Sequence, residues 1–348
     1  MLGFITVVIV FSIVIVVHEL GHFLMARRMG VKVERFSLGL GKVLLSRKFG
    51  DTEYAISAIP FGGYVKMAGE EPTDKHEGKP YEFYSKAPGK RFWILLSGAG
   101  VNYILAFLIF SFIVPTSRVG IVLKDMPADK AGIQTKDKIV SINGEEIKYW
   151  HELLDIVSND TEAKPLNIKI ERDKDILDFV VSPDIVESDT FFGKPVKKAK
   201  IGIGYYGDVE VLRANPLKCL ATGARQTLDN TLLLYRYIWY LIMGKVSVKG
   251  SVTGPVGIAV ILAEALKIGI AYLIYLIAHI NLALAVFNLL PFPVLDGGHI
   301  MFLGLEKIRK KPLSFKAQEI IQYSSVSLLI AFFLFVSYND VMMWVFKK

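Results

Sequence analysis

The chain has 348 residues, 52% of them hydrophobic and 21% charged, with a mean hydropathy of +0.42. So apolar a composition excludes an intrinsically disordered chain and a single ordinary soluble domain. The net charge is +8, and the one cysteine, Cys219, excludes a disulfide framework, an iron–sulfur cluster and a cysteine-type zinc site within one chain.

Four segments are near the roughly 20 apolar residues that cross a bilayer as a helix. Leu2–Ala26 carries only His18, Glu19 and His22 as ionisable groups. It has no basic n-region and no A-x-A-like cleavage site, so a retained helix is expected rather than a signal peptide. Lys32–Met67 then reads as β-rich, with a strand over Tyr54–Ile59 and a turn at Gly62-Gly63 near Pro60. Phe92–Pro115, Ile268–Leu295 and Ile320–Asn339 are the other three spans. Between the second and third lies an insert, with strand-like runs over Val119–Leu123, Lys138–Ile142 and Leu166–Glu171. It also has a helix over Trp150–Val157 and a turn at Asn143-Gly144. Leu217–Met243 is amphipathic, either an interfacial helix or a soluble helix packed on the insert.

Charge is divided along the chain. Residues 116–210 hold 14 basic and 18 acidic residues, which leaves +12 on the remainder. The basic residues flank apolar runs, so a lipid bilayer is the expected partner and nucleic acid is not. Arg27, Arg28, Lys32 and Arg35 follow the first span, and Lys86, Lys90 and Arg91 precede the second. Lys307, Arg309, Lys310, Lys311 and Lys316 lie between the third and fourth. Short basic loops stay in the cytoplasm, so the acidic insert and both termini are expected outside.

The chemistry lies in His18-Glu19-Leu20-Gly21-His22, an H-E-x-x-H pattern. On a helix its histidines share one face a turn apart, so both can reach one Zn2+ ion. Glu19 stands about 100° round the helix from His18, placed to act as base on a water held by the metal. Three ionisable groups at the end of an apolar helix are costly unless they face a partner or cavity, and headgroup snorkelling does not require this spacing. A catalytic zinc needs a third protein ligand and one open position. Asp296 is the candidate: Pro291 and Pro293 end the third span, Gly297-Gly298 free the backbone to turn, and topology puts Asp296 at the depth of the histidines. The alternative for Asp296 is a helix cap.

HELGH in a first membrane helix, with Asn288-Leu-Leu-Pro-Phe-Pro-Val-Leu-Asp296-Gly-Gly in a later one, resembles the site-2 protease family of intramembrane zinc metalloproteases. The similarity is closest to the bacterial regulator-of-sigma-E protease branch. Phe36–Gly41, Ile59–Met67, Gly98-Ala-Gly-Val-Asn102 and Gly254-Pro-Val-Gly-Ile-Ala259 resemble further blocks of that family. Ala99 departs from it, standing where proline is usual, and the insert has room for one PDZ domain where some relatives carry two.

The resemblance implies a polytopic α-helical membrane protein with four transmembrane helices, a membrane-associated β-hairpin region and one α+β PDZ-like domain. The implied organisation is 1–115 with the zinc motif, 116–206 as the PDZ-like domain, 207–267 as amphipathic linker helices and 268–348 with the third ligand. It implies peptide-bond hydrolysis with His18, His22 and Asp296 on zinc and Glu19 as base. Asn288 and the Gly62-Gly63 strand region would hold an extended substrate. Ile201-Gly202-Ile203 would capture a peptide C-terminus, or else the domain filters by size alone. Asn102 and Asn281 read as interhelical contacts, His299 as an interfacial histidine and Cys219 as core filler. Implied partners are single-span membrane proteins, such as anti-sigma factors or signal-peptide remnants, with a site-1 protease acting upstream. The implied place is the bacterial inner membrane, with the active site near the cytoplasmic side. A transporter would string its polar groups along a pathway, whereas these cluster at one depth. A dead PDZ scaffold would not need Glu19.

Overall fold

The computed structural model describes residues 2–344 apart from 71–76, 160–162, 189–195, 206, 247–251 and 312. Two units form: Met1–Ile109 with Gly223–Lys267 and Leu276–Lys348, and Phe110–Thr222 with Ile268–Tyr275. Of the expected divisions, the end of the 116–206 segment, at residue 206, lies outside the described residues.

The first unit opens with α1 (Leu2–Arg28), followed by β1 (Val33–Phe49), β2 (Thr52–Met67) and α2 (Pro88–Phe112). Four stretches are long and apolar enough to cross a membrane: Ile5–Arg28, Pro88–Phe112, Ile270–Asn288 and Lys316–Met343. α2 runs unbroken through Ala99, as a helix without proline should. The reversal expected at Gly62-Gly63 near Pro60 is present. Phe36 and Ser37 pair with Tyr54 and Ala55 in one direction and with Val65 and Tyr64 in the other, so the chain turns back between Ile56 and Gly63, with Gly62 at φ 91°. An earlier reversal lies at Gly50-Asp51, where Phe49 pairs with Thr52. Residues 35–38 of β1 are paired on both edges, with 53–56 and again with 63–66. The two glycines therefore stand where β2 folds back along β1 towards α1.

In the second unit come β3 (Ile113–Pro115), β4 (Val119–Val122), α3 (Pro127–Ala131), β5 (Lys138–Ile142), β6 (Glu145–Glu146) and α4 (Trp150–Asn159). β7 (Leu166–Arg172), β8 (Asp175–Val181), β9 (Asp184–Ser188), β10 (Val196–Lys200), β11 (Ile203–Tyr205) and β12 (Val209–Val211) complete it. A four-stranded antiparallel sheet has the order β6-β5-β7-β8. Asn143 and Gly144, both at positive φ, make the two-residue turn between β5 and β6. Alternate residues Leu166, Ile168 and Ile170 of β7 are buried with Ile139, Ile142 and Leu153 in one apolar core. Buried Asp137 takes two 2.7 Å hydrogen bonds from the Arg172 guanidinium, so no charge is left unpaired beside that core. Cys219 is buried against Val114 and Leu212, a filler as its type suggests.

The remaining helices are α5 (Pro216–Ile242), α6 (Pro255–Ile268), α7 (Ile270–Asn288), α8 (Asp296–Arg309) and α9 (Phe315–Trp344). Asn281 donates to Ile277 O of its own helix at 2.9 Å, and neither side-chain polar atom of buried Asn102 has a partner among the described residues. Among the described residues, the interhelical hydrogen bonds expected of these two are therefore not formed. Inter-helix polar tethering falls instead to Asp340. Its carboxylate, fully buried on α9, accepts the Gly254 and Gly257 amides at 3.0 and 2.7 Å and so caps α6, whose exposed N–H groups favour an anion. Replacing Asp340 by Ala leaves two buried amides unsatisfied, at about 1–3 kcal/mol each. The unfolding midpoint of the D340A protein in detergent should fall by roughly 5 °C or more, with D340N in between. An unchanged midpoint for D340A would remove this account.

Candidate active site

α1 positions the site because an apolar helix ends in a cluster of polar residues that it can bury on one face. His18 and His22 lie a turn apart and are both 7% exposed. Their Nε2 atoms are 3.2 Å apart, and Asp296 Oδ2 lies 3.3 Å from the first and 3.4 Å from the second. Three ligands bound at about 2.0–2.1 Å to a tetrahedral centre stand roughly 3.3 Å from one another. The triangle thus has the size that a zinc ion demands, and these three residues are the described group that could hold a metal. Buried Asp296 Oδ2 has no hydrogen-bond partner among the described residues, as befits an atom reserved for a metal. Burial works to raise the Asp296 carboxyl, yet His22 and His18 beside it hold it well below the usual carboxylate range.

The tautomer is set from behind. The Ile94 carbonyl of α2 is 2.9 Å from His22 Nδ1, which must donate to it, so Nε2 keeps its lone pair for the metal. α2 can come this close because Gly21 and Gly98 lack side chains. A Cβ on Gly98 would overlap the His22 and His18 rings, and one on Gly21 would overlap the Ser97 carbonyl. Asp296 is not a helix cap. Leu295 is the N-cap residue of α8, and Asp296 sits in the first turn with its carboxylate turned to the histidines. Gly297 and Gly298 do not act as free hinges either. Both are buried within α8, where a Cβ would overlap the backbone of Leu289 and Leu290 or of Phe292. Their role is close packing of α8 onto the turn that follows α7.

Glu19 lies on the same cavity wall, and its Oε2 accepts the Val65 amide of β2 at 3.0 Å. Gly63 lies beside it: a Cβ there would overlap Ser37 O and stand at ordinary contact distance from Glu19. Gly62 faces Ile15 of α1. Asn288, the last residue of α7, has its amide nitrogen 3.5 Å from both ring nitrogens of His18, so it faces the ring rather than either lone pair. The cavity of about 280 Å³ takes in His18, Glu19, His22, Asn288 and Asp296. Ile201-Gly202-Ile203 belongs to the other unit. There Ile201 is buried in the core, its carbonyl accepts from Ala128, and among the described residues β11 pairs on one edge, with β4.

Two cavity residues were not assigned to the site by sequence reading. His299, expected at an interface, lines the cavity one turn beyond Asp296, and burial holds its imidazole below the usual value. Glu70 also lines it and accepts the Met67 amide, and burial pushes its carboxyl up to about 7. In the sequence Glu70 is one of an ordinary acidic pair in a loop, with no spacing to mark it. His299 did carry a signal, at i+3 from Asp296 on one helix.

Two helices that bring an H-E-x-x-H pair and an aspartate to one buried point define a membrane-embedded metalloprotease. The comparisons agree. The profile of peptidase family M50 matches residues 6–332, and the chain belongs to this family of site-2 zinc metalloproteases. It is 34% identical over 346 residues to a Campylobacter jejuni protein named "putative zinc metalloprotease", covering 97% of this chain and 93% of the relative. It is 32% identical over 338 residues to a Clostridium perfringens protein with the same description, covering 95% and 96%. It is 27% identical over 421 residues to the zinc metalloprotease RasP of Oceanobacillus iheyensis, covering 96% and 97%.

Exchanging Gly98 for Ala sets a methyl group against the two histidines, which Ile94 O prevents from retreating. Zinc per polypeptide, measured by mass spectrometry of the purified protein, should fall, with metal affinity reduced at least about tenfold. Full zinc and full proteolysis in G98A would contradict the close approach of α2.

Proposed function

We propose that this protein cleaves peptide bonds within or beside a membrane helix, with His18, His22 and Asp296 as zinc ligands and Glu19 as general base. The observation that carries the reading is the buried triangle of three ligand atoms with the Glu19 carboxylate on the same cavity wall. When bound, zinc polarises the scissile carbonyl and acidifies water. Glu19 takes the proton of the attacking water on its carboxylate and passes it to the leaving amine nitrogen. The Val65 amide holds Oε2 in place, which orients the carboxylate for that transfer.

A helical substrate shields its own amides, so it must unwind to be cut, and an unwound backbone in lipid needs partners. The returning half of β2 runs past Glu19 with Gly62 and Gly63 bare, which supports strand addition there. Asn288, beside His18, is placed to hold the substrate backbone. In the second unit the open edge of β11, just after Gly202, supports a PDZ-like groove for an extended peptide. The acidic insert and termini are read as extracytoplasmic, and the active site as lying near the cytoplasmic face of a bacterial inner membrane. The charge pattern along the chain supports this. Substrates are read as single-span proteins, such as anti-sigma factors trimmed by a site-1 protease or remnant signal peptides.

Glu19→Gln should abolish cleavage of a model single-span substrate while zinc content stays at the wild-type level, because an amide cannot accept the proton. Activity persisting at about a tenth of wild type would exclude Glu19 as base. Replacing residues 118–205 by a flexible linker should permit cleavage of a substrate that carries a folded outer domain and is refused by the full-length enzyme. Cleavage of a short-tailed substrate in the same cells serves as the control for folding. Continued refusal of the large form by a variant that cuts the short form would remove the filter.

A further inference from the structure

A second cavity, of about 610 Å³, opens where α8 ends and α9 begins, and it is unlike the catalytic one in charge. Its floor is Arg91, 4% exposed at the start of α2, whose guanidinium donates to Glu306 at 2.6 Å and lies 5.5 Å over the Tyr84 ring. Arg91 and Glu306 neutralise each other. The rim carries Arg309 and Lys311, both exposed and without an ion-pair partner among the described residues. Ser314 closes the ring. Its Oγ accepts the Ala317 amide, so the positive end of a 30-residue helix also faces this space. The cavity is therefore a basic pocket with two uncommitted cations.

Its setting names the ligand class. The pocket lies at the starts of two helices apolar enough to span a bilayer. α9 leaves most of its apolar length bare: directly beyond the pocket, Ile320 is 57% exposed and Leu328 62%. A phosphate at the rim would thus continue into an apolar track leading down the helix. Basic pockets between membrane helices bind anionic headgroups in this way. We propose that this cavity is a headgroup site for an anionic phospholipid, with the phosphodiester at Arg309, Lys311 and the start of α9 and the acyl chains along α9.

The test uses full-length protein in neutral detergent, titrated separately with phosphatidylglycerol, phosphatidylcholine, glycerophosphate and inorganic phosphate. Retained ligand is read by native mass spectrometry and the unfolding midpoint by fluorescence. Phosphatidylglycerol alone should be retained and should raise the midpoint. The R309Q/K311Q protein should bind it at least about tenfold more weakly, with its lipid-free midpoint unchanged. E306Q, which makes the pocket more positive, should bind it more tightly, and K42Q/K48Q on the β1–β2 hairpin should bind as wild type. Equal stabilisation by inorganic phosphate or glycerophosphate would make this a soluble-anion site and overturn the lipid assignment. Equal retention of phosphatidylcholine, or undiminished retention of phosphatidylglycerol by R309Q/K311Q, would overturn it as well.

Discussion

The close approach of α1 and α2 governs the rest of this structure. Two imidazoles and a carboxylate are expensive in an apolar setting unless each polar atom has a partner. α2 supplies one at Ile94 O, and it can do so only because Gly98 and Gly21 leave room for backbone to meet side chain. Once His22 is locked through Nδ1, both Nε2 atoms point to one place. Asp296 meets them there because Gly297 and Gly298 let α8 pack directly against the backbone of residues 289–293. Four missing side chains thus set the geometry of the three proposed ligands.

The same economy joins the zinc helix to the β hairpin. Glu19 is one residue from a ligand, yet its carboxylate is oriented by a strand 46 residues later, through the Val65 amide. A carboxylate held by backbone keeps its position whether or not substrate is present, which would lower the reorganisation required of the proposed base. It also ties the strand proposed to receive substrate to the group that acts on it. Glu70 and His299 add two more titratable groups to a cavity of about 280 Å³, so the field there is shaped by six carboxyl and imidazole side chains and not by the motif alone.

The two units meet the problem of buried polarity by different means. The insert builds a conventional core around Ile139, Ile142, Ile168 and Ile170 and confines its one deeply buried charge to the Asp137–Arg172 pair. The first unit has its own apolar cluster around Phe23, Ala26, Ile94 and Leu95, while its candidate spans leave many apolar residues exposed. Its elements are held also at polar points such as Asp340 on the α6 amides and Arg91 on Glu306. In hydrocarbon such contacts have no competition from water, so a few of them can fix helix order.

Much of this was legible in the linear chain. Hydropathy marks four spans because a bilayer tolerates only long apolar helices, and the helical period alone places His18 and His22 on one face. Asp296 could be proposed from its depth and its neighbouring prolines. The reasons behind these choices were not legible. Gly297-Gly298 read as a hinge, whereas the pair is helical and packed against backbone. Glycine's signature in sequence is the same whether the backbone needs freedom or merely space. Asn102 and Asn281 read as partners across helices because a buried amide must pair somewhere, and spacing cannot say with what. Glu70, the Ile94 carbonyl and the Val65 amide joined the site only through tertiary contacts, between residues that are 46 or 72 positions apart in the cases of Glu19–Val65 and His22–Ile94. Short-range periodicity reports which face of one helix is polar. Which backbone atom from elsewhere meets that face depends on how closely the elements pack, and only the folded chain decides that.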